Sequence, residues 1–147
     1  MSEHDLINEL IATYRNLNTK VRTLPEERLA MTDSKGNSVR KAVTQLRNSE
    51  MQFSQALKEA ISGVPMPDVG EGDTPVIGTE SESDTTAIII SQFGTAREST
   101  LAMLRGLAPE EWGKSASGGA SIRQRLQEHI ARDKQSLEQI VGLLGSP

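Results

Sequence analysis

The residues with the clearest chemical potential are a histidine and an aspartate four positions apart, His129 and Asp133. Side chains at this spacing share one face of a helix, where they could bind a metal ion or form a hydrogen-bonded histidine–carboxylate pair. Glu50, from an earlier apolar stripe, would complete a three-ligand set with them. Because such pairs are common in proteins without being sites, we interpret this one first as a structural histidine beside a carboxylate.

Three ionisable residues fall inside otherwise apolar stripes: Glu50, Arg97 and Asp133. Two carboxylates buried without partners would be too costly, so we predict that Arg97 bridges Glu50 and Asp133. His129 lies one turn before Asp133, and Tyr14 is the residue expected at the same level of the first helix. We favour a buried network that fixes helix register over a ligand or catalytic site.

These residues lie on four predicted helices, because apolar residues recur every three or four positions over 6–24, 39–61, 89–107 and 122–144. Polar residues before each stripe are typical N-caps. The predicted caps are Ser2, Ser38, Ser83 or Asp84, and Ser121. Gly63 and Gly145 are the predicted stops of the second and fourth helices. The β-branched run 87–90 is too short to predict a strand, and we assign it to the buried start of the third helix.

The connection between the second and third predicted helices, residues 63–84, contains three prolines, four glycines and six acids but no basic residue. Such a composition does not propagate a helix, and its length permits the two helices to run parallel. We interpret it as a solvated crossover, with a binding lid as the alternative. We also expect a protease to cut the native chain first within this segment.

The composition narrows the class of protein. A chain of 147 residues fits one domain, and its net charge of −4 without a basic stripe argues against nucleic acid as a partner. No apolar run approaches the ~20 residues of a membrane span, so no membrane association is expected. The lack of cysteine and the acidic start of the chain favour a cytoplasmic protein.

The two halves of the chain resemble each other. Residues 24–28 are echoed by 108–112, and residues 38–40 are echoed by 121–123. An offset of 83 then aligns Glu50 with Asp133, so we expect the two carboxylates to lie near each other across a pseudo-two-fold. Each half contains, in order, a helix, a turn that begins with proline, a polar loop and a second helix. This order predicts two similar helical hairpins. Trp112, after the second proline, is expected to seal one end of the molecule.

Three segments carry a family resemblance: Leu-Pro-Glu-Glu at 24–27, Ser-Val-Arg-Lys-Ala-Val-Thr-Gln-Leu-Arg-Asn-Ser-Glu at 38–50, and residues 121–140. Their order and spacing resemble the DinB-like superfamily, over nearly the whole chain. The resemblance implies a single all-α domain over 1–147, a four-helix bundle with a long crossover. It also implies a homodimer.

The same resemblance locates the family's metal ligands, which are three histidines on the second and fourth long helices. The matching positions here are Gln45, Arg132 and Ser136. Arginine cannot coordinate a cation, and glutamine and serine are poor ligands for transition metals. We therefore expect no metal and no other cofactor. Some relatives are metal-using, thiol-dependent S-transferases or isomerases, and the resemblance does not bring in their activity.

Two functions follow as hypotheses. The first is a metal-free DinB-like bundle that binds a small molecule or a protein and has no catalytic activity. The alternative is a metal-dependent or thiol-dependent transferase or hydrolase-like enzyme that uses a rearranged site of Glu50, His129 and Asp133. The substituted ligand positions favour the first.

Overall fold

The structure, a computed structural model, describes residues 2–66, 84–114 and 119–145. Within these ranges the chain is all-helical and contains no strand, so the predicted fold class is confirmed at this level. The elements are α1 (Glu3–Lys20), α2 (Glu26–Ala30), α3 (Val39–Ile61), α4 (Thr86–Arg105), a 3₁₀ helix (Pro109–Gly113) and α5 (Ile122–Gly145). Both of the predicted proline-started turns are thus short helices. Each helix of the described ranges is too short or too polar to span a membrane.

The helix starts follow the capping residues, with one correction. Ser2 and Asp5 form the predicted capping box, and the Ser38 hydroxyl accepts from the Lys41 N–H. The third long helix, α4, begins later than predicted, because Thr85 rather than Ser83 or Asp84 is its N-cap. The Thr85 hydroxyl accepts from the Ile88 N–H, which leaves 87–90 inside the helix as predicted. Several neighbouring residues could cap this helix, so the sequence pattern did not select one.

The helices α3 and α4 lie side by side and run parallel. Arg47 donates to Gln92, and Ser54 lies within hydrogen-bond distance of Ser99. The residue numbers of the contacting pairs therefore increase in the same direction along both helices. Parallel neighbours cannot be joined by a tight turn, because the end of one and the start of the other lie at opposite ends of the molecule. The connection between them falls mostly at 67–83, outside the described residues, as do the predictions made for it.

The helix α1 runs antiparallel to α4 and parallel to α5. The contacts that set these directions are Arg22 with Ser91, Leu10 with Arg97, Glu3 with Arg123, and Glu9 with Lys134. Hence α1 and α5 point one way, and α3 and α4 point the other.

The extensive contacts among the four long helices of the described part of the chain join the N-terminal half to the C-terminal half. Both α1 and α3 pack on α4 and on α5, whereas α1 and α3 make no extensive contact with each other, and neither do α4 and α5. The predicted hairpins are therefore correct in chain order, but neither hairpin packs on itself. The stretches 21–38 and 106–121 are long enough to carry the chain across the core between their helices.

Two apolar clusters fill the two ends of the core. The first includes Leu6, Leu10, Phe53, Leu57, Leu104, Leu126 and Trp112. The second includes Leu17, Val43, Leu46, Ile89, Ile90, Phe93 and Ile140. Trp112 is buried in the first cluster, at the end formed by the starts of α1 and α5, as predicted. A polar layer lies between the two clusters.

Candidate functional site

The polar layer is built around Arg97 of α4. Its Nη2 donates to Glu50 Oε1 at 2.7 Å and to Asp133 Oδ2 at 2.6 Å. Glu50 comes from α3 and Asp133 from α5, and each of the three side chains is at most 3% exposed. The structure thus confirms the predicted bridge between the two carboxylates. The bridge exists because both acids fall on the buried faces of their helices, where they require a counter-ion.

The first helix contributes a backbone atom, not a side chain, to this layer. Arg97 Nη1 donates to the carbonyl oxygen of Leu10 at 2.8 Å, using the second lone pair that a helical carbonyl retains. Tyr14, the residue predicted at this level, instead packs over Gly94 and beside Phe93. A Cβ atom at Gly94 would lie only 2.5–2.6 Å from three Tyr14 atoms, so the glycine is what admits the tyrosine ring. The placement of Tyr14 in the polar layer is therefore wrong.

His129 completes the layer on the α5 side. Its Nε2 lies 2.7 Å from Glu50 Oε1, and its ring stacks on Phe53 with a centroid distance of 4.2 Å and an interplanar angle of 8°. An ionised carboxylate can only accept hydrogen bonds, so Nε2 must carry the hydrogen. The stacking and the hydrogen bond together fix the ring, which is 2% exposed.

The layer is strongly coupled electrostatically. Burial alone would raise the pKa of Glu50, but the Arg97 guanidinium and His129 outweigh it and hold that pKa well below its usual range. Burial likewise opposes the charge of Arg97, yet the carboxylates of Glu50 and Asp133 raise the pKa of Arg97 above its ordinary value. Arg97 also lies 4.8 Å from the centroid of the Phe93 ring, a favourable cation–π arrangement. Glu50 and Arg97 are consequently both charged at neutral pH.

Two buried atoms of the layer have no hydrogen-bond partner among the described residues: Glu50 Oε2 and Arg97 Nε. An unsatisfied buried polar atom costs about 1–3 kcal/mol, so the layer is held by its charge pairing at some cost in desolvation.

The three-ligand metal set of Glu50, His129 and Asp133 does not form. No group of three or more histidine, cysteine, aspartate or glutamate side chains among the described residues is placed to hold a metal ion. Arg97 Nη2 occupies the position between the carboxylates of Glu50 and Asp133, and its positive charge would repel a cation. Those two acids are already neutralised in part by a side chain of the protein.

The three positions at which the sequence resemblance predicted metal-binding histidines lie outside this layer. Gln45 is exposed on α3, and Arg132 and Ser136 are half-buried on α5. None of the three carries a side chain suited to a transition metal. The polar layer and these substituted positions are separate features of the chain.

The polar layer does not open onto any of three cavities in the described surface. These cavities are a groove of about 460 Å³ between α3 and α4 and two smaller ones at the ends of the molecule. Their linings include none of Glu50, Arg97, His129 and Asp133. None of these three cavities therefore gives a substrate a direct route to the groups that could do chemistry.

The sequence analysis did not predict a second group of polar contacts, which is centred on Glu26 of α2. Its Oε1 accepts from Arg40 Nη1 at 2.7 Å, and its two oxygens lie 3.2 and 3.1 Å from the backbone N–H of Thr86. Burial opposes ionisation here, but hydrogen bonds from Thr86 and Arg40 lower the pKa of Glu26. The carboxylate thereby joins α2 to α3 and to the N-terminus of α4, where the helix dipole favours a negative charge. Its place in the repeated Pro-Glu-Glu motif was the available signal.

Comparisons of the chain with family models, with curated proteins and with solved structures find no match.

Proposed function

We propose that this protein is a DinB-like four-helix bundle without the family's metal site, which works by binding a partner and not by catalysis. The helix directions support this arrangement, since parallel neighbours α3 and α4 need a long crossover. The residues Gln45, Arg132 and Ser136 at the family's ligand positions support the loss of the metal. A small molecule or a second copy of the chain is the expected partner, in a cytoplasmic setting that suits a chain without cysteine.

One observation carries the non-catalytic assignment: the side chains that could do chemistry are hydrogen-bonded to each other and buried from solvent. His129 Nε2 and both carboxylates are bonded within the layer, and Arg97 fills the space between Glu50 and Asp133. A general base or nucleophile needs access to the substrate proton or atom that it attacks. The closed layer instead fixes the register of α1, α3, α4 and α5, because each of them supplies at least one polar group at the same level.

Chemical modification of the two histidines tests this assignment. His4 is exposed and His129 is buried, so diethyl pyrocarbonate should modify His4 readily in the native protein. Modification of His129 should appear only after denaturation, and peptide mass mapping distinguishes the two sites. His4 serves as the internal control for reagent activity.

The same experiment separates the two hypotheses of function. An enzyme built on Glu50, His129 and Asp133 would have to admit small molecules to its histidine. Modification of native His129 at a rate close to that of His4 would overturn the proposed function and support the enzymatic alternative.

A further inference from the structure

The groove of about 460 Å³ between α3 and α4 has a regular order along its length. The two hydrogen-bonded pairs that show these helices to be parallel are each 45 residues apart in the chain, so a groove residue of α3 lies opposite the α4 residue numbered 45 higher. Met51 therefore lies opposite Ala96, and Lys58 lies opposite Met103. Ala96 and Met103 are seven positions apart, which separates the two levels by about 10 Å along the helices.

The floor of the groove is mainly apolar and its rim is polar. Met51, Ala96 and Met103 are half-buried and form most of the floor. The exposed rim residues are Gln55, Lys58, Thr95 and Ser99. Methionine is unbranched and polarisable, so two methionines beside an alanine form a surface that adapts to an apolar chain.

Five of the six polar side chains that line the groove already form hydrogen bonds within the protein. The pairs are Ser54 with Ser99, Gln92 with Arg47, Thr95 with the Ser91 carbonyl, and Gln55 with Glu59. Lys58 is the sixth, and the ion pairs within the described ranges do not include its ammonium. The groove thus offers a ligand one cation and an apolar floor.

The charge of the groove favours an anion. The chain has 20 acids and 16 lysines and arginines, yet no acid lines the groove and Lys58 is the one charged residue of its lining. A carboxylate can accept a charge-assisted hydrogen bond from the Lys58 ammonium, whereas an organic cation would find no counter-charge in the lining.

We propose that the groove binds a free amphipathic carboxylate with an unbranched alkyl chain. The carboxylate lies at Lys58, and the chain follows the floor from Met103 towards Ala96 and Met51. Packed helices lie about 8–10 Å apart, so the floor between them is a narrow strip that fits a chain better than a broad ring system. This ligand gives the proposed binding function its partner, and the inference therefore rests on that function.

The methionine methyl groups report which cavity a ligand enters. Met51 and Met103 line the groove, whereas Met66 and Met31 line the two smaller cavities. In the full chain labelled with ¹³C in its methionine methyl groups, sodium octanoate should shift the signals of Met51 and Met103 saturably, with a dissociation constant on the order of 1 mM. The signals of Met66 and Met31 should stay in place. Single Met→Leu variants assign each signal.

Two further probes separate the contributions of chain and charge. Butanoate retains the carboxylate but loses most of the contact with the floor, so it should bind at least about tenfold more weakly than octanoate. Octylammonium retains the chain but carries a positive charge towards Lys58, and it should also bind at least about tenfold more weakly.

Two variants test the residues, each with a matched control. Lys58→Gln should weaken octanoate binding about tenfold, because the charge-assisted contact is lost. Lys41→Gln should leave binding unchanged, since Lys41 is exposed on the same helix about 25 Å from Lys58. Ala96→Leu fills the floor and should abolish binding, whereas Ala102→Leu, at an exposed position of the same helix, should not. Circular dichroism verifies that each variant is folded.

Each outcome bears on one claim. The site is overturned if octanoate up to about 10 mM gives no saturable shift at Met51 and Met103. It is equally overturned if octanoate shifts Met31 or Met66 instead, or if binding ignores Lys58→Gln or the charge of the probe. If octanoate fails to bind while His129 stays protected from modification, the proposed function stands and only this ligand fails. If octanoate binds as expected while native His129 reacts, the site stands and the proposed function fails.

Discussion

Arg97 makes three charge-assisted contacts from the two terminal nitrogens of one guanidinium. The acceptors are a carboxylate of α3, a carboxylate of α5 and the Leu10 carbonyl of α1. A lysine has a comparable charge, but it lacks the planar fork that serves several acceptors in fixed directions. The identity of this residue, beyond its charge, therefore determines how four helices meet at one level.

Removal of Arg97 is expected to be strongly destabilising. Arg97→Met retains apolar volume but leaves Glu50 and Asp133 buried together without a cation, which should lower the free energy of unfolding by about 3–5 kcal/mol. Urea unfolding followed by the fluorescence of Trp112, the single tryptophan, measures the change. Arg105→Met is the control on the same helix, because Arg105 is exposed, and it should change stability by less than about 0.5 kcal/mol.

A compensating variant shows whether the loss comes from unpaired charge. Arg97→Met combined with Glu50→Gln and Asp133→Asn removes the cation together with both acids, so much of the lost stability should return. If Arg97→Met alone cost less than about 1 kcal/mol, the buried charge pairing would not be what holds the helices in register.

Glu50 should make the stability of the protein fall at acid pH. The native pKa of Glu50 is depressed below its ordinary value of 4.5, because Arg97 and His129 favour the ionised form despite the burial that opposes it. The unfolded chain therefore binds this proton at a higher pH than the native protein does. The stabilisation from Glu50 is complete above about pH 4.5 and is lost as the pH falls towards the native pKa.

The comparison with Glu50→Gln isolates this contribution. The variant should be less stable than the parent at neutral pH, and the difference should shrink as the pH falls below about 4.5. Urea midpoints measured from neutral to acid pH give the comparison. Glu98→Gln is the control, since Glu98 is exposed on α4, and its curve should follow that of the parent. A constant difference between Glu50→Gln and the parent would show that Glu50 is not preferentially ionised in the native state.

At the scale of the elements, capping residues and apolar periodicity predicted where the long helices lie. The same patterns placed Glu50, Arg97 and Asp133 together, because a charge inside an apolar stripe has to find its partner in another stripe. They did not predict that the Leu10 carbonyl accepts a hydrogen bond from Arg97. Every helical residue has a carbonyl, so the sequence does not show which one accepts a second bond. The position of Tyr14 depended on Gly94 of another helix, which periodicity within one helix cannot show.

The sequence pattern also could not predict which helices pack against each other. A stripe identifies the buried face of a helix, but it does not identify the neighbour on which that face packs. The internal repeat favoured two hairpins, yet the extensive contacts among the four long helices of the described ranges all cross between the halves. Neither half buries its apolar faces alone, so we infer that the core forms only when both halves come together.

At the scale of the whole molecule, the parallel directions of α3 and α4 set a minimum length for the chain between them. The helix α4 has 20 residues, so its start lies about 30 Å along the axis from the level at which α3 ends. Met66 is buried in the first apolar cluster, near the end of α3. The chain from Met66 to Thr85 must therefore cover most of that length.

Deletion of residues 67–83 should prevent the native arrangement within one chain. Only Asp84 would then separate Met66 from Thr85, and two steps of an extended chain reach about 7 Å, far short of about 30 Å. The variant should either lose its cooperative unfolding transition or associate by exchanging halves between copies, and Trp112 fluorescence with sedimentation distinguishes these results. Replacing 67–83 with a glycine–serine segment of equal length is the control, because it preserves the reach and should change stability by only about 1 kcal/mol. A deletion variant that has the parent's association state and the parent's unfolding midpoint would show that α3 and α4 are not parallel neighbours in one chain.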